Sequence, residues 1–435
     1  MIVRVRRALC VVVAFAGVAT GSAAPVHAAP AGAEGAPRLD ARAWVLVDAS
    51  DGDRLAGRAI PSTRSIASTT KLMTAYLALK ELPLDRRIAA PDYQPISPAE
   101  TLAGLAPGER VSVSDLLHAL LLGSANDAAV TLAEGVSGSV PRFVREMNRA
   151  AAALGLTDTH YENPIGLDSA RNYSSAGDLA SLTLRLRRDP VFRHIVDTER
   201  AVLRTGDRTR EITNRNRLLL RLPWVSGVKT GHTLDAGYVL VGTGTRKGAT
   251  LVSVVLGTPS EAVRDAATLE LLDYGFSLYR RETAVSRGET VASPELRYQG
   301  ESLPLVADRE LRVSLRRGQK LDTRVRAPGE VEGPIERGER LGEVTVTVDG
   351  REAGAARLVA ARAADEATFV EQALGRISVA AILIAIGVVV IVIGIAAARR
   401  AARRGDRNDE ERMSTQEERM RRREQERVEE GAGER

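Results

Sequence analysis

Ser68 and Lys71 are the first residues of this chain whose types and spacing could do chemistry. They open a predicted helix, Ser68–Lys80, in the order Ser-Thr-Thr-Lys. Because an α-helix places residues three apart on one face, the serine hydroxyl and the lysine amine can meet. Serine is a poor nucleophile until a base takes its proton, and a lysine amine that has lost its own proton can be that base. The pair therefore predicts nucleophilic catalysis.

The rarity of lysine supports this interpretation. The sequence has only five lysines, Lys71, Lys80, Lys229, Lys247 and Lys320, among 61 basic residues, so the other 56 are arginine. Arginine does not lose its proton inside a protein, whereas a buried lysine readily shifts its pKa. A lysine at position 71 therefore indicates a need for amine chemistry. Taken alone, the motif is more typical of a capped surface helix with an incidental lysine.

Two further triplets follow along the chain. Ser124-Ala125-Asn126 comes after a predicted apolar helix, 116–122, and Lys229-Thr230-Gly231 comes just before an extended segment. Two of the five lysines therefore belong to these motifs. Each triplet alone is a weak signal, but S-x-x-K, S-x-N and K-T-G in this order are together a strong one.

The N-terminal segment, residues 1–28, has the pattern of a secretory signal peptide. It has three arginines near its start, an apolar core over residues 8–19 and a small-residue cleavage site at Val26-His27-Ala28. The core is too short to span a bilayer. The only cysteine of the chain, Cys10, lies inside this segment. The mature protein is therefore expected to have no disulfide, thiol nucleophile or cysteine metal site.

A second apolar run, residues 377–398, has no charged residue and is long enough to cross a membrane. Five arginines follow at once: Arg399, Arg400, Arg403, Arg404 and Arg407. Because positive charge collects on the cytoplasmic side of membrane helices, the tail 399–435 is expected inside the cell. The sequence therefore predicts a single-pass protein of the cell membrane, with its catalytic part on the extracytoplasmic side.

The net charge of +5 does not indicate a nucleic-acid partner. The signal segment carries three of the positive charges, and residues 399–407 carry a net four. The rest of the chain is therefore slightly acidic. The basic pI reflects membrane topology and not a surface for polyanions.

The order of the predicted elements indicates an α/β fold. They are, in chain order, strands at 43–47 and 55–59, the nucleophile helix, helices at 113–122, 128–134, 141–154 and 175–188, paired strands around 201–213, strands at 237–242 and 250–256, and a helix at 262–274 that ends at Gly275. Strand, helices, strands and helix in this order predict a sheet backed by a helical cluster.

The sequence changes character at about residue 283. Short alternating apolar and polar segments, separated by Arg-Gly and Asp-Gly turns, predict an all-β module that has no cluster of chemically capable side chains. The predicted boundaries are a signal peptide 1–28, a linker 29–38, a catalytic domain 39–282, a β domain 283–362, a linker 363–376, a transmembrane helix 377–398 and a charged cytoplasmic tail 399–435.

The motifs resemble those of the serine D-alanyl-D-alanine carboxypeptidases, the low-molecular-mass penicillin-binding proteins. The resemblance covers roughly residues 39–361 and extends beyond the triplets to Asn163-Pro164, Tyr173-Ser174-Ser175-Ala176 and Ala236-Gly237-Tyr238. It implies a penicillin-binding or β-lactamase-like catalytic domain, an α/β (α+β) sandwich with an antiparallel sheet and a helical cluster. A small all-β domain and one transmembrane helix would follow.

The resemblance also implies the catalytic residues. Ser68 would attack the penultimate D-Ala carbonyl, with Lys71 as its base. Ser124 would relay protons toward the leaving D-Ala, and Asn126 would bond the substrate backbone. Lys229 would keep the local field positive, which favours a neutral Lys71.

The implied substrate-binding residues are Thr230, Gly231, His232 and Arg264. Thr230 and Arg264 would hold the terminal carboxylate, for which a guanidinium is well suited. His232 would contribute its backbone N–H, with that of Ser68, to the oxyanion hole. The alternative for Arg264 is that it is one of the many surface arginines.

The implied substrate is a peptidoglycan stem peptide that ends in D-Ala-D-Ala, and β-lactam antibiotics are the implied inhibitors. No metal, cofactor or nucleic acid is expected. A D,D-endopeptidase or a β-lactamase would use the same chemistry, and a non-catalytic cell-wall-binding scaffold would keep the fold without turnover. The complete catalytic set disfavours the scaffold, and the β module with its membrane anchor disfavours a secreted β-lactamase.

Other polar residues near the motifs are interpreted as structural. Asp127 and Asn148 are expected to be caps or buried hydrogen-bonding groups, and Asn163, Asp168 and Asp178 to be turn or cap residues. The sequence shows no convincing glutamate that could activate a deacylating water. Its second motif is Ser-Ala-Asn, where class A β-lactamases have Ser-Asp-Asn.

Overall fold

The structure, a computed structural model, describes residues 35–376 and 379–431. The predicted signal peptide and the first residues of the linker after it lie outside the described part. Contacts divide the chain into two compact units. The first extends to Thr283 and includes the segment Arg312–Leu321, and the second comprises Ala284–Leu311 and the chain from Asp322 onward.

The chain up to the end of the first unit alternates strands and helices. Its strands are β1 (Ala43–Asp48), β2 (Arg54–Arg58), β3 (Arg87–Ala89), β4 (Arg110–Ser112), β5 (Arg200–Leu203), β6 (Arg210–Thr213), β7 (Val225–Thr233), β8 (Gly237–Arg246), β9 (Ala249–Thr258) and β10 (Tyr279–Val285). Its helices are α1 (Lys71–Glu81), α2 (Val113–Leu121), α3 (Asn126–Ser137), α4 (Val140–Ala153), α5 (Ala176–Leu186), α6 (Pro190–Val196) and α7 (Glu261–Ser277).

A five-stranded antiparallel sheet, in the order β2-β1-β9-β8-β7, forms the centre of this unit. Successive side chains of a strand point to opposite faces. Along β1, Val45 and Val47 join a core shared with helices α1 to α6, whereas Trp44 and Leu46 pack with residues of α7. The sheet is therefore covered on both faces, and the predicted α/β sandwich is confirmed.

The predicted end of the last helix of this unit is wrong. Helix α7 continues through Gly275 to Ser277. A Cβ at Gly275 would come within 2.5 Å of the Leu251 side chain and 2.6 Å of the Leu46 side chain. The glycine therefore allows the helix to pack closely on the sheet and does not mark the end of the helix.

The second unit is mainly β, which confirms the predicted β module. The remaining strands are β11 (Thr290–Ala292), β12 (Glu295–Leu296), β13 (Leu305–Ala307), β14 (Leu311–Arg316), β15 (Leu321–Arg326), β16 (Glu330–Val331), β17 (Arg340–Val348) and β18 (Arg351–Ala360), and the helices are α8 (Phe369–Arg376) and α9 (Val379–Gly431). Five of the strands form a sheet in the order β11-β13-β18-β17-β15.

Strand β14 belongs almost wholly to the first unit, where it pairs with β10. At its end, Arg316 forms an ion pair with Asp53 at 2.7 Å and another with Asp51, and its Nε lies 3.7 Å from the Asp48 carboxylate. Tyr279 donates a hydrogen bond to Asp48. One guanidinium therefore gathers three carboxylates of the β1–β2 hairpin. The predicted boundaries do not anticipate this return of the chain.

Helix α9 is continuous over 53 residues. Its segment Leu383–Ala401 is long and apolar enough, by length and composition alone, to cross a membrane. Large apolar side chains along it, such as Ile384 and Val390, are exposed. Residues 377–378 of the predicted span lie outside the described part. The tail continues the helix as far as Gly431.

A buried ion pair fixes the loop before β4 to the β5–β6 hairpin. Both terminal nitrogens of Arg210 donate to the Glu109 carboxylate at 2.7 Å, and the backbone N–H groups of Ala106 and Asp207 also donate to it. Burial alone would raise the pKa of Glu109, but the guanidinium and the amide donors lower it to about 2. The fold therefore stabilises the charged form of this carboxyl.

Replacing Glu109 by Gln should remove a pH-dependent part of the stability. Because the pKa is about 2 in the folded chain and 4.5 as its ordinary value, the stabilisation is present above pH 4.5 and is lost as the pH falls toward 2. The difference corresponds to about 3 kcal/mol. We expect E109Q to unfold at a lower urea concentration than wild type at pH 7. Its free energy of unfolding should fall less than that of wild type between about pH 5 and pH 3.

Unfolding can be followed by tryptophan fluorescence, because both tryptophans, Trp44 and Trp224, lie in the first unit. Glu81→Gln is the matched control, since Glu81 pairs with Lys80 at the exposed surface and such pairs contribute little. Equal pH dependence of the urea midpoint in wild type and E109Q would contradict this account.

Candidate active site

Ser68 lies in a short 3₁₀ turn, Ala67–Thr70, that leads directly into α1. The predicted helix is present, but its first turn is tighter than an α-helix. Ala67 has a φ of +46°, a conformation that costs a non-glycine residue on the order of 1–3 kcal/mol. Strain of this kind is concentrated at functional sites, and here it lies next to the predicted nucleophile.

Lys71 meets Ser68 directly. Its Nζ lies 3.0 Å from Ser68 Oγ and donates to the carbonyl oxygen of Ile165 at 2.5 Å. Lys71 is fully buried, whereas Ser68 is half-buried. The structure therefore brings the hydroxyl and the amine together, as their spacing predicts, and leaves the hydroxyl accessible.

The loop that supplies the Ile165 carbonyl is held by Asn163. The Asn163 side-chain oxygen accepts hydrogen bonds from the backbone N–H groups of Ile165, Gly166 and Leu167. Gly166 has a φ of +84°, and a Cβ there would lie 1.9 Å from the Ala67 carbonyl oxygen. Only glycine lets the loop lie this close to the nucleophile turn. Asn163 is therefore structural.

Burial lowers the pKa of Lys71 to about 7. The negative charges of Glu100 and Asp127 oppose this shift, and the positive charge of Arg215 adds to it. A pKa near 7 leaves a substantial fraction of neutral amine at neutral pH. The amine can therefore accept the Ser68 proton.

The second motif joins α2 to α3. Ser124 is buried and has a φ of +63°, so it is a second strained residue in a predicted motif. Asn126 is the first residue of α3, and its backbone N–H donates to the Thr101 carbonyl at 2.7 Å. Its side-chain Nδ2 donates to Glu100 Oε2 at 2.8 Å.

Sequence reasoning missed Glu100. It lies 26 residues before Asn126, in a loop with no recognisable motif around it. Its contact with Asn126 and its effect on the pKa of Lys71 place it beside the catalytic residues. No local pattern could have identified it, because only the folded loop brings it there.

The third motif lies on β7, which is the edge strand of the sheet and has no strand partner on its outer side among the described residues. A Cβ at Gly231 would lie 2.9 Å from the Ser68 backbone nitrogen and 2.8 Å from the Val239 side chain. The close approach of β7 to the nucleophile therefore requires glycine at this position.

Thr230 and His232 flank that glycine. Thr230 is buried, whereas the exposed His232 ring stacks on Tyr238 with ring centroids 4.0 Å apart. The turn after β7 is held by Asp168, which accepts hydrogen bonds from the Thr233 hydroxyl and the Asp235 backbone N–H. Asp168 is therefore structural, and the His232 ring is engaged with Tyr238.

Lys229 is buried, and its Nζ donates to the Thr230 carbonyl at 2.9 Å. Burial and the positive charges of Lys71, Arg215 and Arg264 lower the pKa of Lys229 well below its usual value. The two lysines are therefore electrostatically coupled. A charge on one amine disfavours a charge on the other.

Arg264 is not one of the surface arginines. Its side chain is 3% exposed, and it forms ion pairs with Glu261 at 3.0 Å and with Asp265 at 2.7 Å. It lies near enough to Lys229 to lower the pKa of that amine. Two carboxylates therefore already engage the guanidinium that was expected to hold the substrate carboxylate.

Arg215 is a second residue that sequence reasoning missed. It is exposed, it lowers the pKa of both lysines, and no carboxylate pairs with it within the described residues. The buried Asn214 and Asn216 on either side donate to backbone carbonyls, Asn214 to those of Val196 and Thr198 and Asn216 to that of Gly227. The triplet Asn-Arg-Asn is the sequence pattern that could have identified Arg215, because the two asparagines hold the arginine in place.

The remaining polar candidates are structural, as predicted. Asp127 accepts hydrogen bonds from the backbone N–H groups of residues 103–105, Asn148 exchanges hydrogen bonds with the Tyr161 backbone, and Asp178 accepts from Asp158 and Thr159. Each of these side chains holds a loop against a helix.

Two family models match the chain. Residues 31–260 match the family described as D-alanyl-D-alanine carboxypeptidase, and residues 279–366 match the C-terminal domain of penicillin-binding protein 5. The first match covers more than half of the chain and contains all three motifs.

Curated relatives and solved structures agree with these matches. D-alanyl-D-alanine carboxypeptidase DacA of Escherichia coli is 32% identical over 336 residues, which are 73% of this chain and 82% of the relative, and DacF of Bacillus subtilis is 29% identical over 320 residues, which are 72% and 82%.

Among solved structures, penicillin-binding protein 5 of Haemophilus influenzae has a TM-score of 0.54 at 29% identity and covers 76% of this chain and 99% of its own. The Streptomyces K15 DD-transpeptidase has a TM-score of 0.53 at 33% identity and covers 56% and 99%. The chain therefore belongs to the serine D-alanyl-D-alanine carboxypeptidases, the low-molecular-mass penicillin-binding proteins.

Proposed function

We propose that this enzyme is a membrane-anchored carboxypeptidase that removes the terminal D-alanine from peptidoglycan stem peptides through an acyl-enzyme on Ser68. The observation that carries this proposal is the 3.0 Å contact between Ser68 Oγ and the buried amine of Lys71. The lowered pKa of that amine supplies the base that the hydroxyl needs.

In the acylation step, neutral Lys71 takes the Ser68 proton as Oγ attacks the carbonyl carbon of the penultimate D-Ala. The backbone N–H groups of Ser68 and His232 stabilise the oxyanion that forms, and each such donor is worth about 3–4 kcal/mol in comparable enzymes. The C–N bond then breaks. Ser124 passes a proton to the amine of the departing D-Ala.

The substrate lies along the free edge of β7, where its backbone extends the sheet by one strand. Asn126 bonds the substrate backbone from the other side. Thr230 and Arg264 were expected to hold the terminal carboxylate, and we propose Arg215 as the main cation for it. Arg215 has no acidic partner within the described residues, whereas Arg264 has two.

Lys71 becomes neutral again when the Ser68 proton passes through Ser124 to the departing amine. Water then completes the cycle: Lys71 takes a proton from it as the water oxygen attacks the ester of Ser68. The serine oxygen leaves with a proton from Lys71, and the shortened peptide leaves with a new carboxylate. A β-lactam presents an amide carbonyl and a carboxylate to the same groups, so it acylates Ser68 as well. The alternatives, a D,D-endopeptidase or a β-lactamase, differ only in the substrate that reaches this serine.

A pentapeptide ending in D-Ala-D-Ala should lose one alanine when it is incubated with the purified enzyme, and mass spectrometry should show the tetrapeptide. Ser68→Ala should form no product, because the nucleophile is absent. Cleavage of a cross-linked dimer instead of the pentapeptide would favour the endopeptidase. Hydrolysis of penicillin over multiple turnovers would favour the β-lactamase. Absence of all three products would contradict the proposal.

The rate of penicillin acylation should rise with pH through about 7. The base must be neutral and the pKa of Lys71 is about 7, so the rate should increase about tenfold per pH unit below 7 and level off above it. Lys71→Arg should be inactive at every pH, because arginine stays protonated. The loss should be at least about 10²–10⁴-fold, the usual effect of removing a general base.

Lys229→Arg is the matched comparison for this experiment. It places a permanent positive charge beside Lys71 but leaves Lys71 itself, the base, unchanged, so it should slow acylation while leaving a measurable rate. Both variants must show wild-type melting curves, which excludes misfolding, and peptide mapping should place the adduct on Ser68. Acylation of K71R at the wild-type rate would show that another group activates Ser68.

The helix at Leu383–Ala401 supports the proposed anchor. Its length and composition suit a single span, and the arginines from Arg399 onward suit a cytoplasmic tail. We propose the boundaries 39–282 for the catalytic domain and 283–362 for the β domain, with segment Arg312–Leu321 contributing to the first. The β domain would act as a spacer or docking surface.

Protease added outside intact cells should digest the chain before residue 377 and spare the tail from Arg399 onward. The reason is that the span and the arginines after it place the tail in the cytoplasm. Antibodies to a C-terminal tag should detect a protected fragment that contains the helix. A tag that is lost from intact cells would contradict this orientation, and release of the whole chain by salt would contradict the anchor.

A further inference from the structure

Glu100 accepts four hydrogen bonds. Its Oε2 accepts from Asn126 Nδ2 at 2.8 Å and from the Tyr93 hydroxyl, and its Oε1 accepts from the backbone N–H groups of Ile96 at 2.8 Å and Ser97 at 3.2 Å. A carboxylate has about four lone-pair sites. Those of Glu100 are therefore fully used within its own loop and by Asn126.

These four donors keep Glu100 ionised. Burial alone would raise the pKa of Glu100, but the hydrogen bonds from Tyr93, Asn126 and the two amides outweigh it and lower the pKa. An ionised carboxylate with every lone pair engaged has no free position for the proton of a water molecule. The role of Glu100 is therefore different from that of a deacylating base.

The contact with Glu100 settles the orientation of the Asn126 amide. An ionised carboxylate can only accept hydrogen bonds, so the amide nitrogen and not its oxygen must face Glu100. One N–H of Nδ2 is used in this contact, which fixes the directions of the second N–H and of Oδ1. Without it, the amide could rotate by 180° and exchange the donor and the acceptor that it presents to a substrate backbone.

The same loop also holds the backbone of the second motif. The Asn126 N–H donates to the carbonyl of Thr101, the residue after Glu100, at 2.7 Å. Both the main chain and the side chain of Asn126 are therefore fixed by adjacent residues of one loop.

Glu100 is also one of the charges that face the Lys71 amine. Among the described groups, Glu100 and Asp127 favour its protonated form, Arg215 disfavours it, and the coupled Lys229 lies on β7. The Asp127 carboxylate is engaged by backbone N–H groups of residues 103–105. Glu100 is thus the carboxylate that links the base to the second motif.

We propose that Glu100 is a positioning residue of the acylation step, which orients the Asn126 amide toward the substrate backbone and places a fixed negative charge near the Lys71 amine. This inference rests on the proposed function, because the substrate contact of Asn126 belongs to it. Glu100 acts through Asn126 and Lys71 and touches no reacting atom.

Glu100→Gln tests this proposal in the full-length enzyme. Glutamine keeps the length of the side chain but removes the charge, and its oxygen cannot accept from Asn126 and from the loop amides together. We expect the plateau rate of penicillin acylation to fall about tenfold or more, as for the loss of a hydrogen bond to a charged group. The rising limb of the pH profile should move to lower pH, by at most about one unit.

Glu100→Asp separates the two effects. It keeps the charge but shortens the side chain, so the plateau rate should fall while the rising limb stays near that of wild type. A merely structural role for Glu100 would leave the pH profile of E100Q unmoved. Melting curves of both variants must match wild type before the rates are compared.

A double-mutant cycle with Asn126→Ala decides whether Glu100 acts through Asn126. If it does, adding E100Q to N126A should lower the plateau rate much less than E100Q lowers it in the wild-type chain. Equal losses in both backgrounds, or wild-type kinetics of E100Q, would overturn the proposal. Failure of the wild-type enzyme to form any penicillin adduct would instead overturn the proposed function.

Discussion

Two lysine amines are buried near each other without a carboxylate bonded to either in the described part of the chain, and the rest of the site depends on this constraint. A buried ammonium without an ionic partner costs several kcal/mol, so the interior favours loss of a proton. The amines are bonded to the Ser68 hydroxyl and to the backbone carbonyls of Ile165 and Thr230. The fold thus solvates the two amines with neutral acceptors, and this leaves a base beside the nucleophile.

The segments around the two lysines pack closely against the nucleophile turn and keep the amines in place. Two non-glycine residues with positive φ, Ala67 and Ser124, lie in or beside the first two motifs. Two glycines, Gly166 and Gly231, allow a loop and a strand to lie against the nucleophile turn where any side chain would collide. Sites held by helices and strands in this way keep their reacting groups in fixed positions, and the strain is borne by the packed core on both faces of the sheet.

The parts of the site that depend on local spacing could be predicted, and those that depend on tertiary approach could not. Ser68 and Lys71 meet because one helical turn separates them, and the strand predicted at 43–47 from its apolar run is present as the buried strand β1. Glu100 and Arg215 come from loops far from the motifs they serve, so no periodicity identifies them. Helix α6 is only seven residues long, too short for a clear apolar pattern, and Gly275 was misinterpreted because close packing and helix termination both select glycine.

The return of strand β14 to the first unit has a consequence for the order in which the enzyme is completed. A chain emerges N-terminus first during synthesis and export, so residues up to Thr283 appear well before Arg316. Until then β10 lacks its partner strand, and Asp48, Asp51 and Asp53 lack the guanidinium that gathers them. The first unit is therefore discontinuous in the sequence: a chain that stops at Thr283 lacks β14, and the unit is complete only after residues up to Leu321 have emerged.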